Sequence, residues 1–169
     1  MIGRSRDPLR DPEPMIRRVY AYVAYRIGDG PDAEDVTSEA FERALRYRGS
    51  FDAARGEPTA WLIGIARRCV EDSRKVPPVP IADPPDRAAA GELAEDTIRR
   101  LDLAAAIAGL GERDRELIAL RYGADLTARQ IAELLGLETN AVEVALHRAV
   151  GRLRSTLLEE RGGSAVAEL

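Results

Sequence analysis

The chain has 169 residues, 45% hydrophobic and 32% charged, with aromatics at only 5% and a net charge of −4. That composition suits a folded, Ala-, Leu- and Arg-rich helical protein, and its negative charge argues against a generic nucleic-acid coat, whose affinity comes largely from neutralising phosphates. One cysteine, Cys69, excludes an internal disulfide, and no apolar run approaches the roughly 20 residues that span a bilayer.

The first fourteen residues, MIGRSRDPLRDPEP, carry basic residues with no apolar core behind them, so they do not form a secretion signal and are expected to be disordered. A cytoplasmic protein is expected. From Met15 to Ile27, the residues Ile16, Val19, Tyr20, Val23 and Ile27 recur at helical spacing. Gly28-Asp29-Gly30-Pro31 breaks that helix, and Pro31 suits the first turn of the next. The second helix, about 32–47, carries Ala33, Val36, Ala40, Phe41, Ala44 and Leu45 on one face, with Asp35, Ser38, Glu39, Glu42 and Arg46 on the other. Taken alone, that polar stripe is a solvated face.

A polar loop, Arg48 to Pro58, leads into a helix over 59–75. Trp61, Leu62, Ile65, Ala66 and Cys69 are predicted to face inward, with Trp61 as a core anchor. Arg67, Glu71 and Arg74 fall on the opposite side, with Arg68, Asp72 and Lys75 beside them. Arg67–Glu71 and Arg68–Asp72 are at i,i+4 spacing, which by itself supports only a surface role. Residues 76–96 contain Pro77, Pro78, Pro80, Pro84 and Pro85, and five acidic residues against Arg87. Prolines remove backbone donors and disfavour helix before them, so this stretch is expected to be an acidic tether between two small helical domains, 15–75 and 97–158.

In the second domain, helices are expected over 97–108 and 112–121. Leu126 to Arg154 then has the form of a helix-turn-helix. Thr127 and Gln130 make a capping box, Ile131, Leu134 and Leu135 supply apolar contacts, and Gly136 stops the first helix. Leu137 plugs the turn, and Val142, Leu146, Ala149 and Leu153 form the buried stripe of the second helix. In such a unit the second helix enters the major groove. Its exposed candidates are Asn140, Glu143, Val144, His147 and Arg148, with Arg148, Arg152 and Arg154 basic toward its end. Glu143 follows Asn140 by three residues, so capping is an equally open reading of that pair. Arg129 joins Thr127 and Gln130 on the first helix of the unit. Residues 159–169 are expected to be a disordered tail.

The strings DAEDVTSEAF (32–41), AWLIGIARRCVEDSRK (60–75), LGERDRELIALRY (110–122) and IAELLGLETNAVEVALHRA (131–149), in this order and spacing, resemble the bacterial extracytoplasmic-function (group four) sigma factors of the sigma-70 family. The resemblance implies an all-α chain of two helical domains, called domains two and four, joined by the Pro-rich linker. It implies that Asp35, Ser38, Glu39 and Glu42 dock on the clamp helices of RNA polymerase core. It implies that the loop with Arg48, Ser50, Phe51 and Arg55, and the helix with Arg67, Arg68, Arg74 and Lys75, recognise and open the minus-ten promoter element. The helix-turn-helix, through Thr127, Arg129, Gln130, Asn140, Glu143, Val144, His147, Arg148 and Arg152, would read the minus-thirty-five element. Promoter DNA and an anti-sigma protein are the further partners implied. No cofactor, metal, small-molecule substrate or catalytic residue is expected, because phosphodiester chemistry belongs to the polymerase.

This sequence departs from the family pattern in three places. Ser38 stands where Gln is usual and Arg68 where Asn is common. Glu143, Val144 and Ala145 stand where Lys, Ser and Arg often occur. Two other readings remain open from the residues: a helix-turn-helix regulator independent of polymerase, and a sigma-like protein-interaction module.

Overall fold

The computed structural model of the protein describes residues 7–76 and 93–166, and all regular structure among them is helical. In chain order the helices are α1 (Pro12–Ile27), α2 (Pro31–Tyr47), α3 (Pro58–Ser73), α4 (Leu93–Gly109), α5 (Glu112–Ile118), α6 (Ala128–Leu135) and α7 (Thr139–Val166). A 3₁₀ turn, Arg48–Ser50, follows α2, and a π-helical turn, Ala119–Gly123, continues α5. The proline-rich stretch read as the linker lies almost wholly outside the described residues, and its last four residues, 93–96, already belong to α4.

Several helices outrun their sequence-based limits. α1 begins at Pro12 rather than Met15, with Pro8 buried and Leu9 packed on the core, so the described part of the N-terminal stretch is ordered. α7 continues through Val166, eight residues beyond the expected end of its domain. Proline suits a helix's first turn, where its missing N–H has no helical partner, and α1, α2 and α3 all start in this way. Acidic residues in the first turns of α1 and α2 complement the helix dipole.

The apolar stripes also rotate relative to expectation. In α1, Met15, Val19, Tyr22, Val23 and Arg26 are buried, while Ile16 is 46% exposed. In α2, Ala33, Val36, Thr37, Ala40 and Ala44 are buried and Leu45 is exposed. In α3, Leu62, Ala66 and Cys69 are buried as expected, and Ile63 and Val70 are buried as well. These extra positions have one cause. Residues 7–76 do not stand alone: their buried side chains join those of α5, the π-turn, α6 and α7 in one continuous cluster that includes Leu117, Leu120, Leu126, Ile131, Val142 and Leu146. A helix packed on two sides buries more than one stripe.

The two halves meet most closely where the π-turn lies on α1. A Cβ built on Gly123 would stand 2.9 Å from the Tyr22 amide nitrogen and 3.0 Å from the Ala21 carbonyl carbon. Glycine is what lets the two backbones approach so closely. A second contact lies between α3 and α6, where a Cβ on Gly64 would be 3.4 Å from Leu134 Cδ1.

Candidate nucleic-acid and polymerase interface

The helix-turn-helix forms as its residues specify. Thr127 Oγ1 accepts from the Gln130 N–H at 3.2 Å, and Gln130 Oε1 accepts from the Thr127 N–H at 2.9 Å, closing the capping box. Gly136 takes the left-handed conformation at φ 67°, free of the Cβ clash another residue would meet. Leu137 does not plug the turn. It is 39% exposed, and its N–H closes the turn by donating to the Ala132 carbonyl at 2.9 Å.

On α7, Val142, Leu146 and Ala149 are buried with Leu153 behind them, which leaves Asn140, Glu143, Val144, His147, Arg148 and Arg152 exposed. Those six recur at three- and four-residue spacing, so they share one outward face. Helix α7 starts at Thr139, placing Asn140 inside the first turn. Arg152 is held by Asp114 of α5 at 2.5 Å. Arg129 is exposed on α6 and pairs with Glu133 at 3.1 Å.

On α2, Asp35, Ser38 and Glu42 are exposed, so the polar stripe is a free surface. Glu39 is half-buried and paired with Arg43, whose other nitrogen reaches Asp72 of α3 at 2.9 Å. The Asp72 hydrogen bond leads the causes that raise the Arg43 pKa. Asp72 also accepts from Lys75 at 3.1 Å. The expected Arg68–Asp72 pair therefore gives way to Arg43–Asp72, which ties α2 to α3. Arg43 carried no signal in the sequence beyond its position one turn after Glu39.

Of the eight residues expected at the minus-ten element, seven divide into two groups, and the eighth, Lys75, is exposed and pairs with Asp72. Arg68 and Ser50 line a cavity of about 500 Å³ with Arg43, Arg46, Tyr47, Trp61 and Ile65. Phe51 packs edge-on against Trp61, with ring centroids 5.5 Å apart. Trp61 is half-buried and packed against the core, and it also lines both this cavity and a larger cleft of about 760 Å³. That cleft is lined by the loop from Ser50 to Glu57, including Phe51 and Arg55, and by Arg129, Gln130 and Glu133 of α6. Arg48 is exposed at the loop's entry, and the Ser50 hydroxyl donates to the Tyr47 carbonyl at 2.7 Å. A pocket with three guanidinium groups and two aromatic rings has the chemistry to take an unstacked base and its phosphate.

Arg67 and Arg74 lie elsewhere. Arg67 shares one stripe of α3 with Ile63 and Val70, Arg74 continues it at the helix's C-cap, and that stripe faces the second half of the chain. Arg67 Nε donates to Glu116 of α5 at 2.5 Å, and Arg74 pairs with Glu112. Arg26 of α1, 3% exposed, joins the same cluster through Glu112 and through Glu116 at 3.1 Å, and it donates to the Tyr22 hydroxyl at 3.4 Å. The Glu116 hydrogen bond raises the Arg67 pKa, and burial pushes the Tyr22 hydroxyl well above its ordinary value. Arg26, Glu112 and Glu116 were not foreseen. The available signal was a lone arginine at the i+4 position after a tyrosine, continuing an apolar stripe.

Cys69 is buried, and burial pushes its thiol up. Among the described residues no cluster of three or more His, Cys, Asp or Glu side chains is placed to hold a metal ion, and no helix is long and apolar enough to cross a membrane.

Comparison with known proteins places two family matches on this chain: sigma-70 region 2 over residues 13–75 and sigma-70 region 4 over residues 100–153. The ECF RNA polymerase sigma factor BldN of Streptomyces coelicolor is 33% identical over 150 residues, covering 84% of this chain and 57% of that protein. SigL of Mycobacterium tuberculosis is 30% identical over 148 residues, covering 83% of each chain. SigV of Bacillus subtilis is 30% identical over 147 residues, covering 85% of this chain and 84% of that one. Among solved structures, the sigma factor RpoE bound to the anti-sigma factor NepR from Bartonella quintana shares the fold, at TM-score 0.63 and 21% identity, covering 88% of this chain and 94% of that one. CnrH in complex with the cytosolic domain of CnrY gives TM-score 0.61 and 24% identity, covering 89% and 84%.

Proposed function

This chain belongs to the extracytoplasmic-function sigma factors of the sigma-70 family, initiation factors that carry RNA polymerase to promoters, and we propose which of its surfaces does each part of that work. Asp35, Ser38 and Glu42 on α2, with Glu39 beside them, dock on the clamp helices of the polymerase core. The Arg68–Trp61–Tyr47 cavity, entered past Arg48 and the Ser50–Arg55 loop, receives a base drawn from the minus-ten element, and Arg67, Arg74 and Lys75 meet its backbone. The outer face of α7 reads the minus-thirty-five element, with Arg148 and Arg152 toward phosphates and Asn140, Glu143, Val144 and His147 toward base edges.

Glu143 and Val144 in place of basic and hydroxyl residues shift that reading from purine acceptors toward a cytosine N4 donor and a thymine methyl. The chain carries no bond-making chemistry of its own and works in the cytoplasm, where polymerase and promoter are found. An anti-sigma protein is the further partner the family implies.

The observation that carries this reading is the co-occurrence, in one chain, of a free polar stripe on α2 and an intact helix-turn-helix with an unobstructed outer face. Mixing the chain with polymerase core and transcribing genomic fragments tests it. A stable complex that starts transcripts at discrete sites is expected, and the Asp35→Lys, Glu42→Lys double variant should lose core binding while remaining folded. A folded wild-type chain with no affinity for cognate core would overturn the assignment.

A further inference from the structure

The minus-ten cations Arg67 and Arg74 are not waiting for DNA in this structure, because α5 already holds them. Glu116 accepts from Arg67 at 2.5 Å, Glu112 pairs with Arg74, and both carboxylates converge on the buried Arg26. A fifth ion pair, Arg18 to Asp125 at 3.4 Å, crosses the same seam. A carboxylate accepting from a guanidinium makes the same charge-assisted bond that a phosphate oxygen would make. We propose that α5 is an internal phosphate mimic: Glu112 and Glu116 occupy the minus-ten cations of the free protein and clasp its two domains together, and the clasp must open for promoter binding. The proposal rests on the placement of Arg67 and Arg74 at minus-ten DNA given above.

Geometry requires the opening. The minus-ten and minus-thirty-five elements are roughly 25 base pairs apart, or about 85 Å of duplex at about 3.4 Å per base pair. In the clasped form the minus-ten loop and the first helix of the helix-turn-helix line the same cleft, and α3 touches α6 through Gly64 and Leu134. One molecule therefore cannot meet both elements while closed. The 16 residues between Val76 and Leu93 reach about 55 Å when extended, and the rest of the span falls to the two domains, whose helices α3 and α7 are about 24 Å and about 42 Å long at about 1.5 Å per residue.

The seam joins a shared apolar cluster, which includes Tyr22, Leu117, Leu120 and Ile131, to one feature that favours separation. Arg26 is buried against α5 with its Nε unpartnered among the described residues, and a buried guanidinium deprived of its carboxylates is strongly unfavourable. Taking α5 away returns that group to water, so loss of the carboxylates favours the open form over a closed one with a stranded charge.

Two full-length variants test this by different routes. Glu112→Gln with Glu116→Gln removes the charge that the clasp depends on. Gly123→Ala changes no charge but places a methyl within about 3 Å of the α1 backbone, so it prises the same seam apart sterically. Small-angle scattering should show a radius of gyration several ångströms larger for both, with helical circular dichroism retained. Fluorescence anisotropy with a random-sequence single-stranded 20-mer should show affinity rising about tenfold for both, which separates opening from the mere loss of two negative charges. Wild-type scattering from the glutamine pair overturns the clasp, and an opened molecule with no gain in affinity overturns the mimicry. Should Gly123→Ala fail to fold, the glutamine pair decides alone. Failure of the wild-type chain to start transcripts with core would count against the functional assignment, while the scattering result would still report on the seam.

Discussion

The helix-turn-helix and the seam between the two halves are built on opposite principles. Every device in the turn between α6 and α7 is local: a capping box three residues long, a left-handed glycine, and an amphipathic stripe repeating within one helix. The seam joins residues far apart in the chain, through a shared apolar cluster and through ion pairs 38 to 107 residues apart, Arg74–Glu112 and Arg18–Asp125 among them. Local devices hold whether or not the rest of the molecule is in place. Long-range pairs exist only while two bodies are docked, which is what a reversible contact needs.

The largest expected effect would break the local unit. Ile131 is fully buried, and Ile131→Ala should cost about 2–5 kcal/mol through lost burial and the cavity left behind. Chemical denaturation followed by circular dichroism measures this. If the seam is the weaker structure, the loss should show as early melting of the second half, with residues 12–73 unfolding later in a separate step. A single cooperative transition shifted as a whole would mean that the two halves are one folding unit.

Next in size are the turn's own fixtures. Thr127→Ala removes the hydroxyl that satisfies the Gln130 N–H and should cost about 1 kcal/mol. Gly136→Ala forces a side chain into the left-handed region and should cost about the same. Neither residue belongs to the seam, so the radius of gyration of the native molecule should be unchanged in both variants, in contrast to Glu112→Gln with Glu116→Gln.

Acid titration sharpens the comparison from the other side. Burial pushes the Glu112 carboxyl up, but the hydrogen bond from Arg74 and the charges of Arg26, Arg74 and Arg115 outweigh it and hold the group below its ordinary value of 4.5. A carboxyl depressed in this way stabilises the docked form fully above its undocked value and loses that contribution as pH falls through the docked one. The seam should therefore hold at neutral pH and loosen below about pH 4.5, read as a rise in the radius of gyration before helix content is lost. In Glu112→Gln the early rise should shrink, because the titrating group is gone.

The same contrast explains what the sequence disclosed. The capping box, Gly136 and the α7 stripe were legible because each is written within a few residues of itself. The all-helical architecture and the polar stripe of α2 were legible for the same reason, through apolar spacing and helix-starting prolines. Tyr22, Arg26, Ile63 and Val70 fall outside the single apolar stripe read for each helix, because one amphipathic period assumes one buried side and these helices have two. Arg67 and Arg74 were placed outward by that assumption, and only the docking of α5 shows what they meet. The π-turn at Ala119–Gly123 had no local signature, since it arises from the fit of the chain against α1. α7 also runs through Gly162 and Gly163 to Val166, into the stretch expected to be a disordered tail.

The smallest expected effect concerns Arg129, which belongs to the local unit and also lines the cleft beside the Ser50–Glu57 loop. Its pair with Glu133 is an exposed i,i+4 contact, the kind that contributes only about 0.3–0.5 kcal/mol, so Arg129→Gln should barely move the denaturation midpoint. If Arg129 touches a phosphate when the polymerase-bound factor engages promoter DNA, its loss appears in a different quantity. Each phosphate neutralised contributes about 0.9 to the slope of log affinity against log salt, so the slope measured for the holoenzyme should fall by about one in Arg129→Gln, with promoter preference unchanged. A slope equal to wild type would confine Arg129 to the surface of α6, and the phosphate contacts of this domain would then rest on Arg148 and Arg152 of α7. Because Arg152 is already held by Asp114, relieving that pair with Asp114→Asn should raise affinity without altering the slope, which distinguishes an arginine that is freed from one that is removed.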